Sequence, residues 1–409
     1  MAAFWGSLAL LSALLYWQLT ARLSRSLTGL VLESNDVQLY RKTGEALLRG
    51  ELPYRDFFIE YPPGGIPAFI PPALFSSELG DFGALFGAEM ALILIATLVL
   101  VALTARKLRG EWSWVVPALT VTVAALFLQP VAVVRFDPLV SLSLAVAAFG
   151  AALGGRYQLL AYASLGFGAA AKLVPALATV SLAALGDQGE TLARRLWRTA
   201  LGFLAFFAAL GLFFVPSYLL GGESFKESFT YHADRGLQLE SLGSAILLRL
   251  GWVRDIVFQF GAWEVEGRGV ELLSALSLPI SGVLILVTAA VMYRDHRTQR
   301  FVAAKFPRYA AAFILAFMIG SKVLSPQYML WLLPLLPLAA GGLWGIGVSG
   351  MFLIACWTTT QIFPNYYGDL MQLEPDAINL LLLRDLLLVM LWIIMLVLPS
   401  ETTPEKEPA

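Results

Sequence analysis

Long apolar runs separated by short polar connections make up most of this chain, and two long polar stretches interrupt the pattern. A helix that crosses a bilayer needs about 20 consecutive, mostly apolar residues. Runs of this kind predict membrane spans at residues 4–20, 83–105, 114–129, 138–153, 199–219, 272–292, 309–320, 328–340, 345–363 and 377–398. The polar stretches at 21–82 and 221–271 are long enough to form structure outside the membrane.

The apolar stretch at 157–185 is too long for a single crossing, and Lys172 and Pro175 interrupt it. Proline removes a helical hydrogen bond, and lysine is costly at membrane depth. We therefore predict two short helices that meet at a polar turn, although one long kinked helix also fits the pattern. Two crossings here bring the total to about twelve and place both termini on one side of the membrane.

The composition agrees with a polytopic, all-α membrane protein. Of the 409 residues, 58% are hydrophobic and only 14% are charged, which an ordinary soluble domain would not tolerate. We predict one transmembrane domain at 1–399, with surface-lying helices in the first polar stretch. The polar residues 400–409 are expected to form a disordered cytoplasmic tail.

The orientation follows from lysine and arginine in the short loops. Under the twelve-span topology, the basic groups near residues 106–109, 156, 194–198 and 294–308 fall on the same side. By the positive-inside rule that side is cytoplasmic, so the two long polar stretches face outwards. These outward stretches also carry basic residues, but there they are mixed with acids in long loops, where the rule is weak.

Several function classes are excluded by features that the sequence lacks. The net charge is −1 and basic residues do not cluster, which argues against nucleic acid as a partner. The single cysteine, Cys356, lies in the apolar run MFLIACW and is expected to be a small buried side chain. The sequence has no HEXXH, paired CXXC, GXGXXG or P-loop motif, so we expect no metal, dinucleotide or nucleotide cofactor.

The first polar stretch contains SNDVQLYRKTGEALLRG, which predicts a helix with an acid at its start. Its N-terminus can be capped by Ser34, Asn35 or Asp36, and Gly50 and Pro53 end it. Its apolar stripe is expected to lie on the bilayer and consists of Val37, Leu39, Tyr40, Leu47 and Leu48. Asp36 is then either a solvated cap or a general base at the membrane surface.

Two further acids follow in the element PYRDFFIEYPPG. Taken alone, Asp56 and Glu60 are more easily explained as partners of Arg55 or of water than as catalytic groups. The five prolines of YPPGGIPAFIPPALF then prevent a continuous helix, and its apolar residues would leave this segment in the membrane interface.

Three basic residues occur at the ends of predicted spans: Arg135 in VRFDP, Lys172 in AAAKLVP and Lys322 in GSKVLSPQY. Ionisable groups at membrane depth are costly and usually face a cavity, although a long side chain can also reach out to the interface. Because Asp137 lies so close, we expect Arg135 to form a local ion pair with it. Arg135 therefore ranks below Lys172 and Lys322 as a ligand for a substrate.

The second polar stretch has its densest polar cluster in YHADRGLQLES. This segment contains His232, Asp234, Arg235, Gln238, Glu240 and Ser241. Arg235 is a suitable donor to a ligand phosphate, and His232 can add another. A lone histidine, however, is more often a structural hydrogen bonder than a ligand.

Taken in order, these segments resemble the GT-C superfamily of integral membrane glycosyltransferases, which use polyprenyl-phosphate sugars. The most similar branch is glycosyltransferase family 87, formerly a domain of unknown function, whose members include mycobacterial mannosyltransferases. The matching pieces are NDVQLY, PYRDFFIEYPPG, VRFDPL, GFGAAAKLVP, YHADRGLQLES and KVLSPQYMLWLLP. Each piece is short, but the ordered set extends over nearly the whole chain.

The resemblance implies a role for each candidate residue. Asp36 would be the base that deprotonates an acceptor hydroxyl, which then displaces polyprenyl phosphate from the sugar with inversion. The donor phosphate would be bound by Lys322, Lys172, Arg235, Arg135 and His232. Further substrate contacts would come from Asp56, Glu60, Tyr61, Gln238, Glu240, Gln327 and Tyr328. The resemblance implies no metal and no nucleotide sugar, and it implies a lateral groove for the isoprenoid chain.

The chain departs from the mycobacterial pattern in one loop. Those members tend to carry a histidine-bearing SPxSWxHH run where this chain has SPQYM at residues 325–329. Lys322 or His232 would then replace the missing histidines at the phosphate. Mannose is the default sugar, and a cell-envelope glycolipid or glycan is the expected acceptor, on the outer face of a bacterial cytoplasmic membrane.

Two other functions stay open at this point. One is a transporter or flippase of lipid-linked sugars, and the other is a polymerase or ligase for envelope polysaccharide. A transporter would have broken helices near the midplane and repeat symmetry. The sequence has no visible internal repeat, and its charges gather in the outward stretches, so a glycosyltransferase is favoured.

Overall fold

The computed structural model describes residues 1–21, 35–76, 78–186, 191–298 and 302–399. Most of them form helices, which pack into one bundle. In chain order these are α1 (Ala2–Ala21), α2 (Asn35–Leu48), α3 (Ile70–Phe75), α4 (Leu79–Arg109), α5 (Val115–Phe127), α6 (Gln129–Ala132), α7 (Pro138–Leu153), α8 (Tyr157–Ala171), α9 (Ala178–Ala183), α10 (Leu192–Gly221), α11 (Glu223–Ala233), α12 (Leu242–Arg249), α13 (Val270–Thr298), α14 (Lys305–Gly320), α15 (Met329–Leu332), α16 (Gly342–Thr360), α17 (Tyr367–Met371) and α18 (Pro375–Val397).

Short turns of other helical types connect several of these elements. Four 3₁₀ segments lie at Pro63–Phe69, Val174–Leu177, Pro326–Tyr328 and Leu336–Leu338. A π-helical turn at Gln361–Asn365 follows α16 and is kinked, because Phe363 has the non-helical angles φ −127° and ψ 117°. Because such turns are short and poorly hydrogen-bonded, they mark places where the chain changes direction.

Six described helices are long and apolar enough to cross a membrane, namely α1, α4, α10, α13, α16 with its π-helical turn, and α18. Helices α5 and α7, and the segment Val174–Ala183, are apolar but shorter. The structure thus supports a multi-pass membrane protein, but the predicted count of about twelve crossings is not confirmed.

The stretch at 157–185 divides into two short helices, as predicted. Helix α8 ends at Ala171, and Lys172 has an extended backbone with φ −153° and ψ 132°. A 3₁₀ turn that contains Pro175 follows, and α9 begins at Ala178. The lysine and the proline therefore lie at the break between the two helices, where Lys172 has left the helical backbone conformation.

The stretch at 328–340, predicted as one span, is instead a series of turns. Helix α15 has only four residues and ends at Leu332. Pro334 and Pro337 follow, and each of them removes a donor that a continuous helix would need.

The apolar stripe of α2 packs against the protein, which differs from the expectation that it lies on the bilayer. Val37 and Tyr40 are buried, and the Tyr40 ring stacks on Phe69 with 4.3 Å between centroids. Phe69 belongs to the proline-rich segment after α2, which folds back as a 3₁₀ turn and α3. The proline-rich segment therefore does more than end α2, because it folds back and covers part of the apolar stripe of α2.

Two glycines let this segment approach the bundle closely. A Cβ atom on Gly64 would lie 2.5 Å from the main-chain carbonyl carbon of Ala170 in α8, and one on Gly65 would lie 2.8 Å from the Phe136 ring. Any larger side chain at these positions would push the segment outwards. The glycines therefore bring residues 60–65 next to the loops that precede α7 and follow α8.

The described chain is mostly helical, as predicted, but the second polar stretch also contains a short β-hairpin. After α11 and α12, strands β1 (Val253–Gln259) and β2 (Ala262–Gly267) form an antiparallel hairpin. The segment before α12 extends it, because the Leu239 amide donates to the Trp263 carbonyl at 2.9 Å. Alternating β-branched and aromatic residues around Gly261 were the available sequence signal.

Helix α10 contacts the bundle mainly through α8. Only 6% of its most apolar stretch is buried, so most of its surface is available to lipid. A Cβ atom on Gly166 of α8 would clash with the carbonyl of Phe206, and one on Gly202 would clash with the Tyr162 ring. The two helices are thus joined by close packing at small residues, as is common within membranes.

Candidate active site

A cavity of about 740 Å³ lies where the two long polar stretches meet the ends of α7, α8 and α14. Most of the predicted site residues come together in its wall. They are Asp36, Glu60, Tyr61, Arg135, Lys172, Arg235, Gln238, Glu240, Lys322, Gln327 and Tyr328. Segments far apart in the sequence therefore converge on one polar site, with all four of the predicted arginine and lysine ligands in its wall.

Asp36 lies in the first turn of α2 with both carboxylate oxygens occupied. The Tyr61 hydroxyl donates to Oδ1, and the guanidinium of Arg135 forms an ion pair with Oδ2. The side chains of Asp36 and Arg135 are about one-fifth exposed, at 23% and 20%. Arg135 thus pairs with Asp36 and not with its near neighbour Asp137, so the expected local pair is wrong.

Asp137 instead binds Lys172, and this pair is more deeply enclosed. Lys172 Nζ donates to both Asp137 oxygens at 2.8 and 2.9 Å, and Trp331 Nε1 donates to Oδ1 at 2.8 Å. The Asp137 side chain is only 1% exposed. The Lys172 ammonium also lies 4.9 Å from the centroid of the Phe136 ring. The ranking of Lys172 above Arg135 as a substrate ligand is therefore not favoured by the geometry.

Arg235 and Lys322 form a second basic group in the cavity wall. Lys322 Nζ donates to the main-chain carbonyl of Arg235, and the Gln238 amide donates to the Lys322 carbonyl at 2.9 Å. The Nε atoms of Arg235 and Arg135 are buried and have no acceptor among the described residues. Since unsatisfied buried donors are costly, both guanidinium groups are suited to an anionic ligand.

Gln238 and Glu240 form a rigid polar wall. The Gln238 side chain accepts from the Leu324 amide at 2.8 Å and donates to Glu240 Oε2 at 3.1 Å. Arg384 of α18 donates to the main-chain carbonyl of Glu240 at 2.6 Å, and its own Nε is paired with Asp385. The backbone and one carboxyl oxygen of Glu240 are thereby fixed.

The second oxygen of Glu240, Oε1, is buried and has no hydrogen-bond partner in the described parts of the chain. The residue is only 3% exposed. Burial raises the pKa of Glu240 to about 8, and the positive charges of Arg384 and Arg135 oppose this shift. At neutral pH the carboxyl group is therefore mostly protonated, and it can act as donor and acceptor.

Glu60 belongs to the cavity wall as well, and its partner was not foreseen. Burial raises its pKa, which a hydrogen bond from Tyr231 and the charge of Arg235 partly oppose. Tyr231 is in α11, so this contact links the two polar stretches. The tyrosine at the start of YHADRGLQLES was visible in the sequence, but its position opposite Glu60 depends on the fold.

One predicted residue among those whose side chains the structure describes, Asp56, is not in the cavity wall. Asp56 pairs with Arg55 at 2.7 Å and accepts from the Leu52 amide at 2.8 Å, which is a turn contact on the surface. His232 is part of α11, but its side chain lies outside the part of the chain whose side chains the structure describes. Asp137 and Trp331, in contrast, were not predicted as site residues and anchor Lys172.

The apolar helices and the polar cavity at their connecting loops define a multi-pass membrane protein with a candidate active site. The profile of glycosyltransferase family 87 matches residues 58–326, well over half of the sequence, and the chain belongs to this family. A comparison with curated proteins found no match to the sequence.

The structure is similar to two crystal structures of ArnT from Cupriavidus metallidurans, one bound to undecaprenyl phosphate and one in the apo state. Both have a TM-score of 0.52 and 14% sequence identity. The alignments cover 96% and 97% of this chain, and 76% and 77% of ArnT. At this identity the likeness shows the fold alone. Family membership makes the chain a glycosyltransferase and decides against the transporter alternative.

Proposed function

We propose that this protein is an inverting glycosyltransferase that moves a sugar from polyprenyl phosphate to a glycolipid or glycan of the cell envelope. Mannose is the default sugar. The observation that carries the proposal is the placement of Asp36 and its partner Arg135 in a cavity that contains three more basic side chains. Membership in family 87 and the fold shared with ArnT, in a structure bound to undecaprenyl phosphate, support a lipid-linked donor.

Asp36 is the proposed general base. Its carboxylate takes the proton of an acceptor hydroxyl while the acceptor oxygen attacks the anomeric carbon of the donor. The bond between that carbon and the phosphate oxygen breaks, and its electron pair leaves with polyprenyl phosphate. The proton passes from Asp36 to solvent after the products depart. Tyr61 orients the carboxylate by donating to Oδ1.

Arg135 and Arg235 are the first choice for the donor phosphate. Both line the cavity, and each has a buried Nε without an acceptor among the described residues. Guanidinium groups match a phosphate in geometry and stabilise the charge that develops on the leaving group. Lys322 and Lys172 contribute positive charge, but their ammonium groups already donate to oxygen atoms of the protein. His232 is kept as an additional candidate for the phosphate.

Arg135 would have a double task in this scheme, because it contacts the base and reaches the phosphate. Its guanidinium forms an ion pair with Asp36. A donor phosphate that competes for the guanidinium would weaken this ion pair and raise the basicity of Asp36. Binding of the donor would thereby prepare the base.

We place the reaction on the outer face of a bacterial cytoplasmic membrane. The support is the concentration of basic residues in the short loops on the other side. Glu223 at the start of α11 is exposed. In a variant without Cys356, a cysteine at this position should react with an impermeant reagent added outside intact cells, and reaction from the cytoplasmic side alone would reverse the orientation.

The test of the proposed function is sugar transfer by the purified protein in lipid nanodiscs. The donors are a panel of polyprenyl-phosphate sugars, the acceptors are crude envelope lipids, and the signal is release of polyprenyl phosphate. Asp36→Asn should lower turnover on the order of 100-fold or more, as expected for loss of a general base. It should leave insertion and folding unchanged, because the amide keeps the shape of the side chain.

Asp56→Asn is the matched control, since it makes the same chemical change in the same polar stretch but outside the cavity. It should retain near-normal turnover. Equal activity of Asp36→Asn and the wild type would remove Asp36 from the mechanism. No release from any donor by the wild type would refute the lipid-linked donor.

A further inference from the structure

Glu240 is the buried acid of the cavity that the proposed chemistry does not use. Asp36 serves as the base, Asp137 is saturated by Lys172 and Trp331, and Glu60 has Tyr231 as its partner. Glu240 differs from these acids, because Oε1 has no partner among the described residues although the side chain is almost completely buried.

Such an unsatisfied oxygen is costly and calls for a partner from outside the described chain. The surroundings of Glu240 are built to keep it in place. Gln238 fixes Oε2, and Arg384 fixes the main-chain carbonyl from a different helix, itself aligned by Asp385. These contacts fix the position of the Glu240 side chain and leave Oε1 available to a ligand.

The position of Glu240 also indicates which part of a substrate it meets. Arg235 precedes Gln238 and Glu240 by three and five residues on the same segment. Arg135, the partner of Asp36, lies close enough for its charge to act on Glu240. A phosphate bound by the two arginines therefore lies near Glu240. Of the two groups bonded to that phosphate, the isoprenoid has no polar atoms to offer, whereas the sugar has hydroxyl groups.

We infer that Glu240 Oε1 binds a ring hydroxyl of the donor sugar and determines which sugar the enzyme accepts. This inference rests on the proposed function and deepens it. The mostly protonated state of Glu240 at neutral pH supports a neutral ligand, because a protonated carboxyl can donate to a hydroxyl and accept from it. Gln238 and Arg384 act as positioning residues for this contact.

The experiment measures kcat/KM in nanodiscs for the best donor sugar and for analogues that each lack one ring hydroxyl. In the wild type, one deoxy position should cost roughly 10-fold or more, since its loss leaves a buried group unpaired. In Glu240→Leu, kcat/KM for the complete sugar should fall by a similar factor, and the penalty at that deoxy position should disappear. Glu240→Gln should restore much of the discrimination, because its amide can still bond to the hydroxyl.

A second measurement separates sugar recognition from a structural role. Polyprenyl phosphate without a sugar should bind equally well to the wild type and to Glu240→Leu, as measured by quenching of tryptophan fluorescence. If Glu240→Leu does not fold, Glu240→Asp takes its place, because it withdraws the carboxyl by one methylene and should lose discrimination at the same hydroxyl.

The outcomes distinguish this inference from the proposed function. Transfer by the wild type with unchanged deoxy penalties in the Glu240 variants overturns the inference alone. Loss of binding of sugar-free polyprenyl phosphate in Glu240→Leu also overturns it, because the residue would then support the site as a whole. Absence of transfer from every polyprenyl-phosphate sugar overturns both proposals.

Discussion

Two ion pairs at the cavity each join an aspartate to a basic residue, but they differ in their surroundings. Asp137 is 1% exposed and is bound by Lys172 through both oxygens and by Trp331. Asp36 is 23% exposed, and each of its oxygens has one partner, from Tyr61 or Arg135. The carboxylate of the first pair is closed off by protein, whereas the carboxylate of the second is partly open to the cavity.

The difference teaches how charge can serve two purposes in one site. A buried pair with full hydrogen bonding is fixed, because breaking it would leave an uncompensated charge away from water. A partly exposed pair can exchange partners at much lower cost. The pair of Lys172 and Asp137 thus keeps the ends of α7 and α8 together, and the pair of Arg135 and Asp36 is available to a substrate.

The largest expected effect tests the fixed pair. Asp137→Asn leaves the mostly buried Lys172 ammonium without its counter-charge, and it should destabilise the fold by about 3–5 kcal/mol. The measurement is the midpoint of thermal unfolding, followed by tryptophan fluorescence in a mild detergent. Asp36→Asn is the matched comparison and should shift the midpoint much less. Equal shifts in the two variants would mean that the pairs do not differ in structural role.

The next effect tests the exchangeable pair. Arg135→Ala removes a guanidinium proposed to bind phosphate, and the affinity for polyprenyl phosphate should fall roughly 30-fold, about 2 kcal/mol. Direct titration in nanodiscs provides the affinity. Arg55→Ala, on the surface beside Asp56, should leave it unchanged. An undiminished affinity in Arg135→Ala would assign the phosphate to Arg235 and Lys322.

The smallest effect concerns the hydroxyl that orients the base. Tyr61→Phe keeps the aromatic ring, whose centroid lies 5.1 Å from that of Phe136. It removes only the hydrogen bond to Asp36. A hydrogen bond to a charged group contributes about 1.5 kcal/mol, so kcat should fall roughly 10-fold. The unfolding midpoint should stay close to that of the wild type. A loss as large as that of Asp36→Asn would give Tyr61 a direct part in the chemistry.

Local signals in the sequence were enough to predict much of the fold. The break at Lys172 follows from a lysine and a proline within three residues of each other, and the helix predicted to start near Asp36 begins at Asn35. The hairpin was missed because the length and polarity of residues 221–271 outweighed a short alternating pattern. At 328–340, high hydrophobicity concealed the effect of two prolines.

Most of the residues predicted as a site line one cavity, but the sequence did not predict how they pair. Charged residues in apolar surroundings stand out in a sequence, which is why Arg135, Lys172 and Lys322 were found, whereas Asp36 was proposed from its place at a helix start and from the family resemblance. Which acid each base contacts depends on how α2 and α8 approach α7, and sequence spacing favoured the neighbour Asp137 for Arg135. In the sequence, Glu240 was only one polar residue among several. Its unsatisfied oxygen could not be predicted, because it depends on how the surrounding side chains pack.

The close packing of α8 against α10 affects how the protein should be purified. Gly166 and Gly202 leave room only for close backbone contact, and the opposite surface of α10 is almost entirely uncovered. A harsh short-chain detergent can insert between α8 and α10 and weaken this contact, whereas lipids of a bilayer surround the exposed surface of α10 and leave the contact intact. Purified samples should therefore be compared across detergents and nanodiscs before a weak activity is ascribed to a mutation, since extraction itself can loosen the helix.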